Sequence, residues 1–106
     1  MKVSVVRGGG LAGVATATTL DSDDLSEPDA ETLRANVEAA QLNQLVPGHG
    51  PSQPDRFSYE VTVADGDQHQ TVRVREQDLS AQLRDLITMV QTAPARRQEV
   101  LRAGGD

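Results

Sequence analysis

The sequence predicts an α+β fold in the order ββαββα: a four-stranded antiparallel sheet with two helices packed on one face. Three observations carry that expectation. Two β-prone runs flank a glycine cluster early in the chain, and two more flank Asp65-Gly66-Asp67. Each pair is followed by an apolar stripe at helical spacing, first Ala30, Leu33, Val37 and Ala40, then Leu79, Leu83, Leu86, Ile87 and Val90. A hairpin followed by a helix, twice over, is met most simply by one sheet covered on one side.

Size and composition limit what such a fold can hold. A chain of 106 residues makes one domain, read here as residues 1–92, with 93–106 a C-terminal tail. Phe57 and Tyr59 are the only aromatics and tryptophan is absent, so the core is built from valine and leucine. A chain this long buries roughly two-thirds of its unfolded surface, which suits two thin layers and no deep substrate pocket.

Taken in order, residues 2–7 form a short β-branched strand stopped by glycine. Residues 8–13 read as a loop, because glycine carries the largest ordering cost. Residues 14–19 return as the antiparallel partner. Asp21 to Glu31 is an acidic stretch without a basic residue. It contains a helix start, with Ser26 as cap, Pro28 in the first turn and carboxylates at the positive end of the dipole.

That helix fades by residues 41–46. Residues 47–55 hold three prolines and two glycines and read as loop. Phe57, Tyr59, Val61 and Val63 then alternate with polar residues, and Val72 and Val74 lie on the buried side of the partner strand. The last helix is capped by Asp78 or Ser80 and ends near Pro94. Residues 96–106 are expected to add a short basic helical turn and then fray at Gly104-Gly105.

Most chemistry is excluded. The absence of cysteine removes disulfides, thiolate metal sites and a cysteine nucleophile. A net charge of −6 argues against nucleic acid and anionic lipid as partners, and no run approaches a membrane span. Arg7 interrupts the apolar stretch near the N-terminus and the following run is weakly hydrophobic, so no cleaved signal is expected and the location is read as cytoplasmic.

His49 and His69 lack neighbouring ligands and read as surface residues, with no metal site. Asp21-Ser22-Asp23-Asp24 lacks the glycine of a calcium loop. The glycine cluster is followed by a β-prone segment, not by the helix whose N–H groups would cradle a phosphate. No serine sits in a nucleophile elbow. No cofactor and no catalytic residue is indicated, so the chain reads as a binding protein and not an enzyme.

One residue stands out. Leu11 is a large aliphatic among Gly8, Gly9, Gly10, Ala12 and Gly13. A bulky side chain on a slim loop suits a partner's pocket. The other reading, that Leu11 folds back over the end of the sheet as a minor core residue, fits composition equally well.

The segments Arg7-Gly8-Gly9-Gly10-Leu11-Ala12-Gly13, Pro54-Asp55-Arg56-Phe57-Ser58-Tyr59-Glu60-Val61, and Glu76 through Leu79 leading to Leu83 and Leu86 resemble the emfourin family. The resemblance spans residues 1 to about 91 in the same order. It implies a bacterial protein inhibitor of thermolysin-like (M4) zinc metalloproteases such as protealysin; a monomer is the expected state of the chain. The chain departs from the family pattern at Gly8, where serine is frequent, and at Leu11, where an aromatic is common. It departs again over Val14-Ala15-Thr16-Ala17, where basic residues are frequent.

The resemblance also implies a site. Gly8, Gly9, Gly10, Leu11, Ala12 and Gly13 would enter the protease cleft, with Leu11 in the apolar primed-side pocket. A non-inhibitory interaction module, or a folding partner of a protease, is the alternative.

Overall fold

The structure is a computed structural model that describes residues 1–9, 14–42 and 57–102. The side chains of Val14, Phe57, Leu101 and Arg102 lie outside that description. Residues 43–56, where the Pro/Gly loop and His49 were placed, and 103–106, where fraying was expected, lie outside the described residues.

The elements are β1 (Lys2–Gly9), β2 (Val14–Asp21), α1 (Glu27–Ala40), β3 (Phe57–Asp65), β4 (Gln68–Arg75), α2 (Ala81–Thr92) and β5 (Arg97–Arg102). Single 3-10 turns at Ser22–Asp24 and Glu76–Asp78 lead into the helices. The sheet has five strands in the order β4-β3-β1-β2-β5, and every neighbouring pair is antiparallel.

This corrects the expected sheet of four strands. The fifth comes from the segment read as a helical turn. Arg97-Gln98-Glu99-Val100 shows no apolar alternation because no layer covers it: all four side chains are exposed. What makes it a strand is the unpaired edge of β2 beside it.

Alternation divides the two faces as the sequence suggests. Val3, Val5, Leu20, Tyr59, Val61, Val63 and Val74 point to the covered face and are buried, while Val72 is half-buried. Over them lies α2, with Leu83, Leu86, Ile87 and Val90 buried and contacts to β1 and β2. Complete burial of each such leucine or valine contributes about 1.5–3 kcal/mol. The first helix packs mainly on α2, through Leu33, which is fully buried, and an Asn36 Nδ2 to Met89 Sδ contact of 3.3 Å.

The open face carries polar ladders. Ser4 and Thr19 hydroxyls meet at 3.2 Å, Thr62 and Thr71 at 3.0 Å, and Arg73 donates to Glu60 at 2.7 Å.

Local chemistry sets the boundaries. Ser26 Oγ accepts from the Asp29 N–H at 3.4 Å and opens α1, and Ser80 Oγ accepts from the Leu83 N–H at 3.1 Å and opens α2. Of the two residues proposed to cap α2, the structure uses Ser80; Asp78 instead pairs with Arg75 at 2.8 Å. Gln41 ends α1 in the left-handed region, at φ 49°, with its N–H on the Glu38 carbonyl. Asp65 pairs with Gln68 across a two-residue turn, which holds Gly66 at φ 62°, as a hairpin turn of the primed kind requires.

Candidate functional site

The candidate site is the connection between β1 and β2, and its mounting follows from the sheet order. The first strand lies in the middle of the sheet, between β3 and β2, and β2 lies between β1 and β5. Both arms of the connection are therefore inner strands, each with a neighbour on its far side.

Gly8 and Gly9 belong to β1, not to a loop. They stand opposite Ser58 and Phe57 of β3. Gly8 lacks the positive φ that only glycine adopts freely and that Gly66 has. A Cβ built on Gly8 would meet the Ala15 Cβ at 3.5 Å, ordinary van der Waals contact. Gly10, Leu11, Ala12 and Gly13 join Gly9 to Val14 and lie outside the described residues.

The described pairings reach different distances toward the connection. Among the described residues, the β1–β2 ladder runs from Lys2 opposite Asp21 to Arg7 opposite Thr16. Beyond Arg7, β1 continues along β3 as far as Gly9 opposite Phe57. Ahead of Thr16, β2 continues along β5, with Ala15 opposite Leu101 and Val14 opposite Arg102. Each arm is thus steadied from outside where it meets the connection. Sequence reasoning placed the connection correctly between two strands but missed β5; the only hint was a stretch of strand length between Pro94 and Gly104-Gly105.

Other features stand apart from this end of the sheet. An open groove of about 650 Å³, lined by Met1, Val37, Val63 and Gln70, lies at the opposite end, by the β3–β4 turn. His69 is exposed there. Among the described residues no cluster of three or more His, Cys, Asp or Glu is placed to hold a metal. No described helix is long and apolar enough to cross a membrane.

Comparison with known families adds the decisive observation. The profile of the Emfourin family matches residues 5–91. The chain belongs to the Emfourin family. The emfourin match opens within β1, takes in the whole connection, and closes at the end of α2, so that β5 lies beyond it. No curated protein and no solved structure matches the chain. Emfourin is an inhibitor family, and the partner that membership implies is a protease.

Proposed function

We propose that this emfourin inhibits thermolysin-like (M4) zinc metalloproteases by seating residues 10–13 of the β1–β2 connection in the active-site cleft, with Gly8 and Gly9 as their stem. The observation that carries the reading is the family match, which covers the connection and both its arms. Leu11 is the anchor: enzymes of this class favour a bulky apolar residue just after the scissile bond, and Leu11 is the only large side chain among residues 8–13. Gly10 and Ala12 keep the flanking backbone slim enough to pair with an edge strand of the protease. Gly8 and Gly9, being strand residues, act as stem and not as contact. Arms held in mid-sheet lower the ordering cost of binding and slow cleavage of the bound segment. The inhibitor acts as a monomer and supplies no metal of its own.

The test is titration of a thermolysin-like protease with the purified protein. Activity should vanish at one equivalent. Leu11→Ala should weaken inhibition by about thirtyfold, the equivalent of about 2 kcal/mol for a buried anchor. An unchanged inhibition constant for that variant removes Leu11 from the mechanism. Full activity with excess wild-type protein removes the inhibitor reading, and binding without inhibition identifies a non-inhibitory partner.

A further inference from the structure

Strand β5 presents a puzzle that the fold alone does not answer. Among the described residues every core side chain lies at or before Ala93. From Arg97 to Val100 all side chains are exposed, and Val100 keeps 59% of its surface. The side chains of Arg97 to Val100 therefore add nothing to the core. The helix above the sheet does not need it either, since α2 rests on β1 and β2. The family match also stops before it, at residue 91.

What β5 does contribute is a backbone ladder, from Thr19 opposite Arg97 to Val14 opposite Arg102. That ladder reaches the first residue after the connection, two residues beyond the last described β1–β2 pair, Arg7 opposite Thr16. Val14 and Ala15 are paired with β5, and Ala15 also faces Gly8 of β1, where an added Cβ would lie 3.5 Å from the Ala15 Cβ. The other arm, Gly8 and Gly9, is held in the same way by β3.

We infer that β5 is a positioning strand for the inhibitory connection. By pairing with Val14 and Ala15 it fixes the spacing and direction of the downstream arm, a role separate from holding the domain together. Without it β2 becomes an edge strand, and its first two residues lose the ladder on their outer side and fray more readily. The connection then meets the protease with one arm fixed and one loose. The ordering cost moves from folding to binding, and inhibition weakens although no contact residue has changed. This inference rests on the proposed function, since it assigns β5 a part in presenting the same segment.

The experiment compares the full chain with a chain ending at Arg96. The shortened chain should retain a cooperative thermal transition and its helical content, while its inhibition constant rises by about tenfold or more. Amide exchange should quicken by about tenfold at residues 14–16 and stay unchanged in β1 and β3. A synthetic peptide of residues 93–106, added in excess, should restore both readings.

A folded short chain with unaltered inhibition and exchange overturns the inference. So does a short chain that fails to fold, since β5 would then be part of the scaffold itself. Failure of the full chain to inhibit strikes the proposed function instead; the exchange comparison still reads whether β5 holds the arm.

Discussion

Gly8→Ala separates stem from contact at the candidate site. In β1 Gly8 pairs with Ser58, its φ is not in the left-handed region, and an added Cβ meets Ala15 Cβ at 3.5 Å. The backbone conformation is therefore open to alanine, and the main effect falls on the unfolded chain, which loses conformational freedom. Replacements of this kind stabilise by about 0.4–1 kcal/mol. The new van der Waals contact adds only about 0.1–0.2 kcal/mol. For 106 residues the unfolding entropy is about 0.22 kcal/mol/K near the midpoint, so Tm should rise by about 2–4 °C. The inhibition constant for a thermolysin-like protease should stay within about threefold of wild type, because a stem residue is not a binding hot spot. Scanning calorimetry and enzyme titration read the two quantities. A fall in Tm would mean that the methyl meets an obstacle the geometry does not contain. A large loss of inhibition at raised Tm would make Gly8 a contact residue and refute its assignment to the stem.

Two further substitutions probe the scaffold. Leu86→Ala removes a fully buried side chain from α2; it should cost about 3 kcal/mol and lower Tm by about 10–15 °C, and a calorimetric drop under about 4 °C would show that the neighbours close the space. Ser80→Ala removes the α2 cap, whose 3.1 Å bond is part-buried, and should cost about 1 kcal/mol in urea unfolding. Ser26→Ala at the exposed 3.4 Å cap of α1 should cost clearly less, and equal losses would disprove this ranking by geometry.

Where side chains decide the structure, the sequence could be read. Leu83, Leu86, Ile87 and Val90 recur at helical spacing because one face of α2 meets the sheet, and all four are buried. Tyr59, Val61 and Val63 alternate because only one face of β3 is covered. Ser26 and Ser80 announce the helix starts through the bonds they make.

Where backbone pairing decides, composition was mute or misleading. Val100 lies on an uncovered edge, so its stretch carries no apolar rhythm to report the strand. Gly8 and Gly9 suggested a loop by composition. What keeps them extended is a neighbour about fifty positions downstream, Ser58 and Phe57. At the candidate site the slim segment around Leu11 was plain in the sequence, and its mounting between β3 and β5 was not.

The strand order also bears on how the protein is made. During synthesis, β1 and β2 emerge close together and can form their hairpin early. The neighbours that confine the hairpin on its two sides, β3 and β5, arrive only with residues 57–65 and 97–102. Pairings that close over such long stretches of sequence are slow to form. The nascent chain therefore carries the segment proposed to grip a protease on a hairpin still lacking its flanks. Competence should appear late, as the last strand docks, and a chain stalled before residue 97 should leave the ribosome as a weaker inhibitor than the finished protein.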